Sequence, residues 1–181
     1  MQITISGLPG AGKNTVAEYL AKKLKLRHYS IGDFRRKMAR ELGMKISDLN
    51  KLGEKKAFTD KRADEYQRKI GKKEKNFVID SRLGWYFIPN SLKIFLNVKP
   101  AIGAKRIFRH KRKTEKKYRT IKQVIEANKE RVKSDIKRYK KYYRINPHKL
   151  ENYDIIIDTS NLNIRQMNNL VEKVIKKMLR K

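Results

Sequence analysis

Gly7, Gly12 and Lys13 fall in the pattern G-x-x-x-x-G-K within the stretch GLPGAGKNT, residues 7–15. Glycines at that spacing let successive backbone N–H groups turn inward around a polyphosphate, while the lysine reaches its β- and γ-phosphates. Leu8, Pro9, Gly10 and Ala11 complete the loop. An apolar run precedes it and a helical repeat follows, so the positive end of a helix adds its attraction for an anion. The motif asks for Ser or Thr directly after the lysine, to place a hydroxyl on Mg²⁺, yet Asn14 stands there and Thr15 comes one position later.

Three further groups of residues could act with this loop. Asp80 closes the apolar run NFVIDSR, where an acid can hold Mg²⁺ or its water shell, or can simply tether the loop. Arg36 and Arg82 follow neighbouring strand-like runs, and two guanidinium forks can grip one phosphate from two sides. Arg131, Asp135 and Arg138 fall at i, i+4 and i+7 on one helix face, with the apolar stripe of Val132, Ile136, Tyr139 and Tyr143 centred about 100° away. That triplet is either an ion-pair ladder worth a few tenths of a kcal/mol or a group that meets a transferring phosphoryl.

Alternating strands and helices must position these side chains. QITIS opens the chain, and Val16, Ala17, Leu20, Ala21 and Leu24 give the following helix an apolar face. RHYS, residues 27–30, reads as a weak second strand that delivers Asp33, Arg35 and Arg36 to its end, and Gly43 stops the basic helix after it. Ser47 and Thr59 read as caps of two helices between residues 47 and 71. NFVIDSR and LKIFLNV read as buried parallel strands, and Pro100 opens a helix through about residue 112. A long helix from about Thr120 to Arg144, the strand YDIIID and a C-terminal helix complete the chain. The C-terminal helix has Ile164, Met167, Leu170, Val171, Val174, Ile175 and Met178 on one face. This succession predicts a three-layer α/β/α P-loop domain with a five-stranded parallel sheet, in which ligands sit at the carboxyl ends of the strands.

The chain of 181 residues is the size of a single domain. It has no apolar run approaching the roughly 20 residues that span a bilayer. Its lack of cysteine excludes disulfides, thiolate metal sites and thiol nucleophiles, and suits a reducing cytoplasm. The formal charge of +30, from 48 Lys and Arg against 18 Asp and Glu, favours an anionic ligand. Because the excess is mostly lysine along helical faces, a solvated surface accounts for it better than a dedicated polynucleotide site. The most basic stretch, from Arg106 and Arg109 through Lys111, Arg112, Lys113, Lys116 and Lys117 to Arg119, reads as a closing flap.

The pattern G-x-P-G-A-G-K-x-T, then S-x-G-D-x-x-R at Ser30, Gly32, Asp33 and Arg36, then Asp80 and Arg82 closing a strand, resembles the nucleoside monophosphate kinases. In the adenylate kinases among them the residue after the lysine is likewise not a hydroxyl. The helix R-x-x-x-D-x-x-R with TDKRADEYQ, RLGW and KRYKKYY makes the chain similar to archaeal-type cytidylate kinases over nearly its whole length. The resemblance implies Mg²⁺-dependent transfer of the γ-phosphoryl of ATP to CMP or dCMP by a monomer.

It also implies catalytic roles for Lys13, Arg131, Asp135 and Arg138, and ATP contacts from residues 7–15 with Arg106 and Arg109. Ser30, Asp33, Arg36, Asp64 and Arg82 would bind the acceptor, and Asp80, with Thr15 or through water, would hold the metal. The acceptor segment is expected at about residues 31–72 and the lid at about 109–120. His110 stands where relatives tend to carry a lid arginine, with Arg109 beside it, which leaves open which of them covers the adenine. A kinase for another small acceptor (AMP, UMP or shikimate) and a nucleic-acid-binding P-loop ATPase are the rival readings.

Overall fold

A strand forms at Gln2–Gly7 (β1) because Ile3 and Ile5 point to one face and Thr4 and Ser6 to the other. Thr4 and Ser6 are buried but satisfied: Thr4 Oγ1 lies 3.0 Å from Ser91 Oγ, and Ser6 Oγ donates to the Ser81 carbonyl at 2.5 Å. The remaining strands are Arg27–Ser30 (β2), Phe77–Asp80 (β3), Leu92–Asn97 (β4) and Ile155–Asp158 (β5). They join β1 in one parallel sheet of order β2-β3-β1-β4-β5, the architecture expected from the sequence. The computed structural model describes residues 1–110 and 118–178, so Lys111, Arg112, Lys113, Lys116 and Lys117 of the expected lid lie outside the described residues.

Helices Lys13–Lys23 (α1) and Ile164–Met178 (α8) cover the face of Ile3 and Ile5. Val16, Ala17, Leu20 and Ala21 from α1 meet Met167, Val171 and Ile175 from α8 in this core. Ile164, Leu170 and Met178 remain exposed at the edge of the α8 stripe, so the buried set is narrower than the sequence implied. On the other face, Ile31–Glu41 (α2) and Phe58–Lys73 (α4) pack Ile31, Ala63 and Ile70 against Phe77 and Ile79. Ile46–Lys55 (α3) and the short Gly84–Phe87 (α5) adjoin them. Among the described residues no helix is long and apolar enough to cross a membrane.

Both expected caps between residues 47 and 71 are displaced. The N-cap of α3 is Lys45, whose carbonyl accepts from Asp48 and Leu49, because Ile46 and Leu49 are drawn into a small core with Met38. The N-cap of α4 is Ala57, and Thr59 is buried within the first turn. Pro100–Arg109 (α6) follows β4 and ends before residue 112. Ile121–Tyr143 (α7) is capped by Thr120, whose side chain accepts from the Gln123 amide, and closes on Arg144 in the left-handed region. It packs on α6 at one end of the cleft and on α3 at the other. Its buried residues are Val124, Asp135, Arg138 and Tyr139, so two of the charged triplet, Asp135 and Arg138, are more deeply buried than Val132 and Ile136, while Arg131 is half-buried like them.

Candidate active site

The carboxyl ends of the strands open into a cleft of about 1290 Å³. Its walls follow from strand order. Residues after β2 and β3 lie on one side of the β1 loop: Ile31, Gly32, Arg35 and Arg36 from α2, Ala63, Asp64 and Gln67 from α4, and Asp80, Ser81 and Arg82 after β3. Residues after β4 and β5 lie on the other: Arg106, Ile107, Arg109 and His110, then Leu162 to Arg165 and Met167. Lys13, Thr15, Arg131, Asp135 and His148 also line it.

The Gly-rich loop is held against α6 by backbone contact. A Cβ on Gly10, which has φ 79°, would sit 2.3 Å from the Gly103 carbonyl oxygen, and a Cβ on Gly103 would sit 2.5 Å from that of Pro9. Gly12, at φ 90°, is the N-cap of α1, so the first-turn N–H groups face the cleft around Gly12 to Thr15. Leu8 and Ala11 shape the loop from behind and do not line the cleft. Lys13 Nζ donates to the Gly7 and Leu8 carbonyls, each at 2.8 Å. Burial, then the charges of Arg82 and Arg131, pull its ammonium pKa down to about 7. A polyphosphate in the loop would therefore relieve a stressed charge.

Of the residues that the sequence assigned to the donor side, Arg106 is the most constrained. Its guanidinium donates to the Thr159 carbonyl at 2.6 Å, the Leu162 carbonyl at 2.9 Å and Thr159 Oγ1 at 3.0 Å, and reaches Gly10 at 3.4 Å. It ties the β5–α8 turn to the loop and keeps a place in the cleft wall.

Among the residues expected to bind the acceptor, Arg36 donates to Asp33 Oδ1 from Nε and Nη2, at 3.1 and 2.6 Å, and lines the cleft. Ser30 and Asp33 do not line it; Ser30 caps α2 by accepting from the Asp33 amide. Asp64 sits deeper. Tyr143 donates to its Oδ2 and Gln67 Nε2 donates to its Oδ1 at 3.3 Å, while Gln67 Oε1 accepts from Ser81. Burial raises the Asp64 carboxyl to about 6 despite the Tyr143 bond.

The triplet of α7 divides. Arg131 and Asp135 line the cleft, and Asp135 pairs with Arg82 through Oδ2 and with Arg138 through Oδ1 at 2.5 Å. Burial pushes the Asp135 carboxyl up, but Arg82, Arg138 and Arg131 outweigh it and hold the group below the usual carboxylate range. Arg138 is 0 % exposed and does not line the cleft. Its Nη1 donates to Asp60 Oδ1 at 2.6 Å.

Asp80 meets His28 Nε2 through Oδ2 at 3.1 Å. Asn14 Nδ2 donates to Glu18 at 2.6 Å, and Asn14 Oδ1 is buried without a protein partner among the described residues. Asp80 and Thr15 line the cleft, and a carboxylate with a hydroxyl suits Mg²⁺ that arrives with phosphates and keeps its waters. Among the described residues no cluster of three His, Cys, Asp or Glu forms a self-sufficient cage.

Asp60, Gln67, Ser81 and His148 carried no assignment from sequence. Gln67 lies one turn after Asp64 on the same helix face, a signal the 3.6-residue period could have given. His148 stands on the turn between α7 and β5, where no period applies. Burial, with the charges of Arg82 and Lys13, lowers it to about 4, so it is neutral at physiological pH.

The solved structures that resemble this fold include a shikimate kinase from Bacteroides thetaiotaomicron, with TM-score 0.68 and 16% identity, covering 100% of this chain and 99% of that one. A protein called cytidylate kinase from Sulfurisphaera tokodaii is 34% identical over 183 residues, covering 100% of this chain and 98% of the relative. Another of that name, from Methanocaldococcus jannaschii, is 36% identical over 180 residues, covering 97% of each. Residues 2–161 match the model of the cytidylate kinase-like family, and the chain belongs to that family.

Proposed function

We propose that the protein transfers the γ-phosphoryl of ATP to CMP or dCMP, giving ADP and CDP or dCDP. The observation that carries this reading is a single cleft with a phosphate loop at its centre, Arg106 and Arg109 on one side, and Arg36, Arg82 and Asp64 on the other. The relatives' name supplies the acceptor's base.

Lys13 and the amides of residues 10–15 take the β- and γ-phosphates of ATP, and the adenine lies between Arg106 or Arg109 and the Leu162–Met167 turn. Arg36 and Arg82 hold the acceptor phosphate. Asp64, with Gln67 and Tyr143 donating to it, presents a carboxylate that can accept from an exocyclic amine, as cytosine carries and uracil does not. Asp80 and Thr15, directly or through water, would hold Mg²⁺, which would supply charge neutralisation to the phosphates.

An acceptor phosphate is already an anion, so no general base is needed. One of its oxygens bonds to Pγ as the bond from Pγ to the bridging oxygen breaks, and that electron pair leaves on the β-phosphate of ADP. The protein's task is to align two polyanions and to balance the charge that moves between them. Lys13, Arg82 and Arg131 converge on that point, with Asp135 fixing Arg82. Neutral His148 adds no charge to it. The reading is of a monomer that acts in the cytoplasm, a reducing compartment that the lack of cysteine suits.

A coupled assay of ADP release across CMP, dCMP, UMP, AMP and shikimate tests the reading. Turnover with CMP or dCMP at a kcat/KM on the order of tenfold or more above the others is the expected result. Preference for AMP, UMP or shikimate would replace the acceptor, and ATP hydrolysis stimulated by RNA or DNA with no acceptor turnover would replace the enzyme class.

A further inference from the structure

Five buried or nearly buried charges run in an unbroken line along the cleft wall, with Arg138 alone set behind it. Arg35 Nη1 donates to Asp60 Oδ1 at 2.9 Å, and Asp60 Oδ1 also accepts from Arg138 Nη1 at 2.6 Å. Arg138 Nη2 donates to Asp135 Oδ1 at 2.5 Å, and Asp135 Oδ2 pairs with Arg82. The line starts on α2, crosses α4 and α7 and ends at the turn after β3. Both terminal arginines line the cleft, and Arg138 at the centre does not.

Stability alone is a poor reason for such a line. Removing several charges from water costs more than most ion pairs return, and apolar side chains of similar volume commonly do as well or better. What the ions supply is direction. The planar fork of Arg138 gives one nitrogen to each carboxylate, so the positions of Asp60 and Asp135 are set by one rigid group. Its Cζ lies 5.0 Å from the ring centroid of buried Tyr139, which restricts the fork's plane. Gly53 on α3 closes the remaining space: a Cβ there would lie 2.9 Å from Asp60 Oδ2 and 3.3 Å from Arg138 Cδ.

We propose that Asp60 and Arg138 are positioning residues, forming a buried strut that fixes Arg82 relative to Arg35 on α2, the helix whose Arg36 shares the acceptor phosphate with Arg82. Arg138 acts through Asp135 on Arg82, and Asp60 acts directly on Arg35. The strut rests on the reading that the acceptor phosphate binds at Arg82. It also reassigns Arg138 from contact with the phosphoryl to support of the residue that makes that contact.

A double-mutant cycle of Arg138→Met with Arg82→Ala tests the strut, read as KM for CMP, kcat and separately measured ATP affinity. In the wild-type background Arg138→Met should raise the CMP KM about tenfold and leave ATP affinity within a factor of about two. In the Arg82→Ala background the same substitution should change the CMP KM by less than about twofold, because the residue it positions is gone. The same factor in both backgrounds would overturn the strut while leaving the acceptor site in place. An unchanged CMP KM in Arg82→Ala alone would overturn the acceptor reading, and the strut with it.

Gly53→Ala keeps the test decisive where Arg138→Met fails to fold. It removes no charge and pushes directly on Asp60 and Arg138. The strut predicts a CMP KM raised about threefold or more with ATP affinity within about twofold. A folded Gly53→Ala protein with the wild-type CMP KM would overturn it.

Discussion

Arg82, at the end of the third strand, pairs with Asp135 in the middle of the long helix α7, and Asp135 holds buried Arg138 with its other oxygen. A carboxylate that faces the cleft is thus fixed from both sides. The arrangement separates two arginines of one helix face that the sequence presents as equals.

Arg138→Ala leaves Asp60 and Asp135 without their shared partner inside the protein, a loss on the order of 3–5 kcal/mol for a broken buried pair. Arg131 is half-buried at the cleft wall, and Arg131→Ala should cost less than about 1 kcal/mol. Urea unfolding of both variants measures the difference. The two differ because Arg138 is fully buried and Arg131 is not. Equal stabilities for the two would contradict this account.

Lys13→Ala should lower kcat on the order of 10²- to 10³-fold, the usual loss when one preorganised charge at a transferring group is removed. Its folding stability should change by no more than about 1 kcal/mol, since the lysine's bonds to two loop carbonyls are offset by a charge that burial already disfavours. Steady-state kinetics with a melting curve on the same preparation checks both halves.

Gly103→Ala improves helix propensity by about 1 kcal/mol, so a helix viewed alone would gain from it. Here the added Cβ meets the Pro9 carbonyl oxygen at 2.5 Å and must push α6 away from the phosphate loop. ATP affinity should fall about tenfold or more while the CMP KM stays within about twofold. Isothermal titration with ATP, beside a CMP saturation curve, separates the two.

Asp64 gives a pH dependence with a defined sign. Its folded pKa of about 6 lies above the ordinary aspartate value of 3.8, so between those values the native state binds more protons than the unfolded chain. The stability that Asp64 contributes is complete below the unfolded value and is lost as pH rises through about 6. Asp64→Asn should therefore gain on wild type between about pH 4 and 7, by up to the order of 3 kcal/mol. If the ionised carboxylate receives the acceptor's amine, kcat/KM for CMP in wild type should also fall below about pH 6 more steeply than in Asp64→Asn. The phosphate of CMP titrates in the same range but does so equally for both proteins.

Local rules made the architecture readable. Alternation at Ile3 and Ile5, the apolar run at Phe77–Asp80 and the spacing of Gly7, Gly12 and Lys13 each depend on neighbours a few residues away. Where tertiary packing overrode a local preference, the reading slipped, as when Ile46 and Leu49 drew α3 past the expected Ser47 cap. The burial of Arg138 was out of reach, because the partner that makes it tolerable is Asp60 on a different helix. The same holds for Ser81, whose hydroxyl donates to Gln67 on a different element of the cleft wall.

Transfer of label from γ-labelled ATP to CMP, followed by separation of the products, tests the central claim most directly. The account predicts label in the β-phosphate of CDP, dependence on Mg²⁺, and loss of that product on the order of 10²-fold or more in Lys13→Ala. Label appearing only as inorganic phosphate, or in another acceptor while CMP stays unlabelled, would contradict it.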